Sequence, residues 1–393
     1  MSDRLNTDVL VAGGGIAGLT ATAAFASAGH DVICVDPAPL KGTGTDLRST
    51  AFFMPSVNLL RKIGVWDALA PNATPLRVMR IVDAGGAVNV VRQIADFDSA
   101  EIGQDAFGYN IPNRLIREVL LDHIGKSSAT LMSPQKVARV IPRTNVALVN
   151  LEDGQQVEAK LVIAADGRNS LIREQAGIDV QRWQYGQKAL VFNVSAEHAH
   201  DNVSTEIHRS GGPFTLVPLP DLAGKHMCAI VWMETGPEAD RLHKLSPAEF
   251  ALAVNERSCG ILGNLDPVGD RAIWPIIAQR ADRLNASRVA LIAEAAHVIP
   301  PIGAQGLNMS LADLTCLLDL VEGAKDIGAA DILTNYNRQR WTDMAARVKG
   351  VDMLNRAAMT DVQMMRDLRV AGLRTLYGIT PMRRAAMKTG LGA

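Results

Sequence analysis

Short apolar blocks alternating with glycine-rich turns set the texture of the first forty residues. Thr7-Asp-Val-Leu-Val-Ala12 is a compact run with β-branched character, the pattern of a buried strand. Gly13-Gly-Gly-Ile-Ala-Gly18 follows, and then Leu19-Thr-Ala-Thr-Ala-Ala-Phe-Ala-Ser-Ala28, rich in helix formers, with Gly29 where a helix C-cap belongs. Asp31-Val-Ile-Cys-Val-Asp36 reads as a second strand. Two later runs, Lys160–Asp166 and Val289–Ala293, read as further buried strands, and an apolar helix starts at Leu307. Between about Gln181 and Arg280 the pattern changes to strand-like runs parted by Gly, Pro and Asp: Ala189–Val194, Ser204–His208, Phe214–Leu219 and Met227–Met233. A hairpin is predicted over Leu76–Val91, with Gly85-Gly86 at its turn.

The opening strand–turn–helix–strand unit ends on an acid, Asp36, and carries glycines at 13, 15 and 18. In a dinucleotide-binding unit the first glycine allows the tight turn. The second lets the backbone approach a pyrophosphate, and the third lets helix and strand pack closely. Helix-start amides attract the phosphates, and Asp36 is placed to accept hydrogen bonds from ribose hydroxyls. This pattern says dinucleotide; by itself it does not choose between NAD and FAD.

Two further stretches bear on that choice. Asp166-Gly-Arg-Asn-Ser170, with Arg173, leaves the predicted strand at an acid-glycine turn, which can serve as a helix cap or as a second cofactor contact. Glu294-Ala-Ala-His-Val-Ile-Pro-Pro-Ile-Gly-Ala-Gln-Gly-Leu-Asn308 follows the last of these strands. Glu294 stands at the strand's C-terminal end, where ligands of α/β sheets sit. The prolines stiffen the loop, and the helix start after Gly306 aims amides at its neighbour. An electron-rich ring that gathers negative charge on reduction is stabilised there, as a flavin would be. His297, between Ala296 and Val298, is expected to be a structural histidine, and no residue is singled out as catalytic.

Taken together, Gly13/Gly15/Gly18, Ala165–Ser170 with Arg173, and Ala293–His297 through Asn308 resemble the single-component FAD-dependent aromatic hydroxylases, over residues from about 7 to the end. Ala304–Asn308 and the tail positions Leu354-Asn-Arg356, Arg374 and Arg383-Arg384 resemble most closely the ubiquinone-biosynthesis hydroxylases. The resemblance implies an α/β fold: a doubly wound FAD-binding domain interleaved with an α+β substrate domain on a mostly antiparallel sheet, plus C-terminal helices. The expected FAD-binding segments are 1–75, 101–180 and 281–345. The substrate domain takes 76–100 as a hairpin and 181–280 as its sheet, and 346–393 form the helical tail. The resemblance further implies bound FAD, reduced by transiently visiting NADH or NADPH, and oxygen transfer to an electron-rich ring. Position by position, Gly13, Gly15 and Gly18 would meet the pyrophosphate and Asp36 a ribose. Arg48 and Arg117 would lie near the cofactor, and Asp166 matches the acid of the middle motif. Glu294 would hold the ribityl chain, and Gly306, Leu307 and Asn308 would offer backbone contacts to the ring. Two positions differ from the family pattern: Ala293-Glu294 stands for Gly-Asp, and Asp36 for glutamate. Both keep the carboxylate.

Composition adds exclusions. The 393 residues are 48% hydrophobic and 21% charged with a formal net charge of -1, so no global field recruits nucleic acid. No apolar stretch is long enough to span a bilayer, and a first strand near Asp8 leaves no room for a secretory signal. Cys34, Cys228, Cys259 and Cys316 lack metal-ligand or redox spacing, which suits reduced packing residues in the cytoplasm and excludes a disulfide reductase. A flavin halogenase would carry Trp-x-Trp-x-Ile, of which Trp274-Pro-Ile-Ile277 is a faint echo. Three functions remain: hydroxylation of a prenylated phenol, hydroxylation of a small soluble aromatic acid, or a non-catalytic dinucleotide-fold binding protein. The tail from Asp361 onward, with six cations against two acids, has two readings as well. One is a helix packed on the FAD-binding domain; the other is a basic amphipathic surface resting on anionic lipid at the inner face of the membrane, or within a quinone-biosynthesis complex. The oligomeric state is left open.

Overall fold

The computed structural model describes residues 4–40, 46–86 and 90–391. Two large sheets share the chain. The first has a parallel centre in the order Val289–Leu291, Gln156–Ala164, Leu5–Ala12, Val32–Val35, Thr130–Met132. Val9, Leu10 and Val11 are completely buried, and all four residues of Val32–Val35 are buried, because helices cover a parallel sheet on both faces. One such helix, Ile16–Ser27, packs against Asn113–Gly125 and Gln305–Val321.

The second sheet orders its strands His297–Val298, Leu265–Ala281, Val180–Ala196, Lys225–Thr235, Pro213–Leu222, Val203–His208, Val78–Asp83, Gln93–Asp98. Every pairing is antiparallel except Val203–His208 with Val78–Asp83. Side chains alternate across it. Leu190, Phe192 and Val194 join Phe214, Trp232 and Phe250 in a core closed by helices Gly236–Lys244 and Pro247–Ser258. Ala189 and Val191 point the other way, into a cavity. The chain passes back and forth between the sheets, so the doubly wound half and the antiparallel half interleave. A small sheet of Ser49–Phe53, Thr74–Leu76 and Gly108–Pro112 lies between them.

The hairpin is present and longer than the sequence suggested, its second strand running to Asp98; residues 87–89 lie outside the described part. The tail differs from the expected packing. Helices Gln363–Gly378 and Thr380–Leu391 pack on the hairpin of the antiparallel sheet, with Leu373, Leu376, Tyr377 and Met387 against Ala95, Phe97 and Phe107. The buried Asp83 anchors them by accepting hydrogen bonds from Arg92 (2.8 Å) and Arg369 (3.0 Å). No helix among the described residues is long and apolar enough to cross a membrane. Burial pushes the thiols of Cys34 and Cys228 up to about 11 and about 12, as expected of packing residues.

Candidate active site

The glycine turn is held from several sides. Gly13 has φ +111°, and a Cβ on it would lie 2.2 Å from the Ala165 carbonyl oxygen. A Cβ on Gly18 would lie 1.8 Å from the Gly13 carbonyl oxygen. Gly15 is different: a Cβ there would meet nothing within 4 Å. Gly13 and Gly18 are therefore demanded by the protein's own packing, whereas Gly15 faces open space. Gly15 is also the N-cap of its helix and offers no side chain to the first-turn amides, which carry no acidic neighbour.

Asp36 stays beside this turn, accepting from Gly14 N (2.5 Å) and Ala38 N (2.8 Å). Arg117, from helix Asn113–Gly125, donates to the carbonyls of Gly14 (2.6 Å) and Leu40 (3.1 Å). It thereby ties the turn to the loop after the second strand. Arg48 forms a two-pronged pair with Asp46 at 2.8 Å and lies over the Trp274 ring at 5.6 Å. Burial alone would raise the Asp46 carboxyl, but the Arg48 hydrogen bonds and charge outweigh it and hold the group below its ordinary value.

In the middle motif, Asp166 Oδ2 accepts from Ile172 N (3.3 Å), while Oδ1 is buried without a partner. A buried carboxylate oxygen left unpaired costs free energy that a bound polar group would return. Ser170 caps the next helix, accepting from Arg173 N. Arg173 donates to the carbonyls of Arg168 (3.1 Å) and Ala295 (3.0 Å), joining the middle and third motifs. Burial pulls its guanidinium below the ordinary value, with Asp166 opposing.

The third motif divides its residues between cavity and scaffold. Glu294 is exposed to the cleft, 3.7 Å from Arg168. Ala293 before it adopts φ +55°, a left-handed conformation that glycine takes more cheaply. Gly306 and Leu307 line the cavity at the start of helix Gln305–Val321, whose N-terminus has neither side-chain cap nor acidic first turn. The Asn308 side chain points elsewhere. It accepts from Phe53 N and Ser56 Oγ and donates to the carbonyls of Ala51 and Ala304, all within 2.7–2.8 Å. All four of its bonds go to protein, and unlike Gly306 and Leu307 it lies beyond the free amides of the helix start, so it serves as scaffold and not as the ring contact expected from the sequence. His297 is buried, with Nε2 2.7 Å from Asp313 Oδ2, and Arg340 donates to the other oxygen of Asp313 (2.8 Å).

One cavity of about 460 Å³ touches all three motifs: Gly15 and Gly18, Gly167, then Glu294, Gly306 and Leu307. Arg48 and Arg117 line it too. A second cavity of about 440 Å³ lies under the antiparallel sheet and shares the wall of Arg48, Glu294, Ile299 and Leu307. The first suits an extended dinucleotide, with uncapped helix starts near both ends. The second suits an apolar ligand lying against the ring. Sequence reasoning missed Gln279, completely buried on Leu265–Ala281, which donates to the carbonyls of Arg168 (3.1 Å) and Glu294 (3.4 Å) and so bridges the middle and third motifs. It missed Asp313 and Arg340 as well. Asp313 joins His297, 16 positions before it, to Arg340, 27 positions after it.

Comparison with known proteins agrees with this geometry. The model of an FAD binding domain family matches residues 6–351. The ubiquinone hydroxylase UbiL of Rhodospirillum rubrum is 32% identical over 98% of this chain and 89% of its own. The 3-demethoxyubiquinol 3-hydroxylase of Escherichia coli is 28% identical over 98% of both chains. Among solved structures, p-nitrophenol 4-monooxygenase PnpA from Pseudomonas putida superposes with a TM-score of 0.80 over 99% of each chain at 18% identity, a likeness of fold. The chain belongs to the FAD-dependent aromatic-ring monooxygenases, the family that also contains the ubiquinone hydroxylases.

Proposed function

We propose that this monooxygenase hydroxylates a polyprenyl-phenol precursor of ubiquinone, using NAD(P)H and dioxygen. The observation that carries the reading is the pair of cavities meeting at Leu307: a polar cleft for the cofactor and an apolar chamber for an aromatic ring. Bound FAD supplies the redox chemistry and oxygen activation. The chain's own residues bind, orient and exclude water. Gly15 and the first-turn amides of Ile16–Ser27 take the pyrophosphate, with Gly13 and Gly18 shaping the turn. Asp36 takes a ribose, and Arg117 holds the turn in register. Asp166 Oδ1 and Glu294 receive polar groups of the chain between phosphate and ring, with Arg48 beside it. Gly306 and Leu307 present amides to the ring edge, and Asn308 pins the loop behind them. The substrate chamber is walled by Ala189, Val191, Val217, Ala229 and Ile276, which keep water from the reacting ring.

A prenyl tail suits the outer end of the chamber. Met79 lines it and also packs against the Phe97, Phe107 and Met387 cluster under the tail helices. On those helices Met364, Leu368 and Met382 are exposed, as are Arg384 and Lys388. This apolar and basic face supports peripheral contact with an anionic membrane. Flotation with anionic liposomes tests that contact: wild type should float, and Met364→Glu/Leu368→Glu should stay in the dense fractions. Equal behaviour of the two would remove the membrane contact. For the substrate, a deletion strain should accumulate a prenylated quinone precursor. An unchanged quinone pool, together with NAD(P)H consumption stimulated by soluble phenols alone, would instead assign a small aromatic acid.

A further inference from the structure

The sheet wall of the chamber is mostly apolar, with its polar groups gathered on two neighbouring strands, Val203–His208 and Pro213–Leu222. On Val203–His208 the side chains alternate. Ile207 enters the core with Phe214 and Trp232, whereas Ser204, Glu206 and His208 occupy the opposite, cavity-side face. Glu206 stands opposite Thr215 on one neighbouring strand and Ile81 on the other. Ser204 and Thr215 line the chamber with Glu206, and Met79, Val217, Ala229 and Val231 surround them.

Glu206 is nearly buried, its side chain 15% exposed, and one oxygen lies 2.7 Å from His208 Nε2. His208 is 13% exposed, and its other ring nitrogen, Nδ1, is buried without a partner. The nearby Asp83 is already satisfied by Arg92 and Arg369. The Glu206–His208 pair therefore sits with the Ser204 and Thr215 hydroxyls in an otherwise apolar wall, with one carboxylate oxygen free of partners among the described residues. A carboxylate oxygen left free on a cavity wall is placed to accept a hydrogen bond from a ligand.

We propose that Glu206, held in place by His208, accepts the hydrogen bond of the substrate's ring hydroxyl, with the Ser204 and Thr215 hydroxyls beside it. The inference rests on the aromatic-hydroxylase reading and adds a specificity element to it. A phenolic O–H hydrogen-bonded to a carboxylate places more electron density on the ring, which favours oxygen insertion. Anchoring the hydroxyl at the roof also sets which ring carbon faces the Leu307 loop. The recognised class is a free phenol; the corresponding aryl methyl ether has no hydrogen to donate and is refused.

The test measures binding to FAD-loaded protein without reductant, followed by perturbation of the flavin absorbance. The probes are 2-farnesylphenol and 2-farnesylanisole. Wild type should prefer the phenol by roughly tenfold or more, the worth of one hydrogen bond to a charged group. Glu206→Leu should bring the two affinities within about twofold by weakening the phenol alone, and Glu206→Gln, which keeps a neutral acceptor, should fall between. FAD affinity checks that the variants fold. Wild type that binds both probes equally while hydroxylating the phenol overturns the anchor and leaves the hydroxylase reading intact, whatever the variants do. So does a Glu206→Leu variant that folds and keeps the preference. Wild type that binds neither probe removes the prenyl-phenol reading and the anchor with it.

Discussion

The cofactor cleft and the substrate roof face each other across the Leu307 loop, yet they are specified by different means. The cleft depends on backbone: Gly13 and Gly18 fit only because they lack a Cβ, and two uncapped helix starts aim their amides into it. The roof depends on which way side chains point from a regular sheet. Ala189, Val191, Ala229 and Val231 face the chamber while their neighbours Leu190, Phe192 and Ile230 fill the core behind. Backbone requirements leave local marks in a sequence, whereas a shared face is assembled from strands far apart. The cleft should therefore be brittle and the roof tunable.

The largest effect should come from the glycine turn, and two neighbouring glycines sharpen the contrast. Gly18→Ala drives a methyl into the Gly13 carbonyl and should cost about 3 kcal/mol or more, so denaturant unfolding should show a badly destabilised protein that retains no flavin. Gly15→Ala should unfold like wild type and still lose most FAD affinity, because its Cβ points into the space the cofactor uses. Equal stability of the two variants would break the distinction between packing glycine and approach glycine. Next comes Asn308→Ala, which removes four hydrogen bonds, three of them joining the third motif to strand Ser49–Phe53 and its following helix. A loss of about 2–4 kcal/mol in unfolding free energy is expected; a loss below that range would deny the pin its role.

On the roof side the expected effects are smaller and selective. Ala229→Phe fills part of the 440 Å³ chamber. It should reduce phenol-stimulated NAD(P)H consumption roughly tenfold, about 1.4 kcal/mol, while flavin content stays at the wild-type level. Loss of flavin as well would mean that roof and cleft are not separable. The smallest effect is expected at Ala293, whose φ of +55° strains an L-residue. Ala293→Gly should stabilise by at most about 1 kcal/mol, strain relief being partly offset by glycine's chain entropy. A measured destabilisation would show that the alanine methyl contributes packing.

Legibility in the sequence follows the same division. The strand–glycine–helix unit, the Asp166 turn and the Glu294–Asn308 loop were all readable because each packs its requirements into a dozen residues. Strand Leu265–Ala281 escaped notice, although it is among the longest. It carries Pro267, Gly269 and Pro275, and its pairing with Val180–Ala196 shifts register twice, so no clean alternation appears. Gln279 on that strand escaped with it. The Glu206–His208 pair was hidden for a different reason: a Glu-x-His spacing is common, and only the register with Thr215 and Ile81 puts it in an apolar wall. The tail's helical character was visible in its apolar spacing. Its partner was not, since Asp83 and Arg369 meet across 286 positions.

The most direct test is a crystal structure of the FAD complex. The pyrophosphate should lie against Gly15 and the first-turn amides, a ribose against Asp36, and the ring edge against Gly306 and Leu307 with its open face toward the chamber. Density for FAD outside this cleft, or a ring turned away from the Leu307 wall, would contradict the convergence of the three segments on one cofactor.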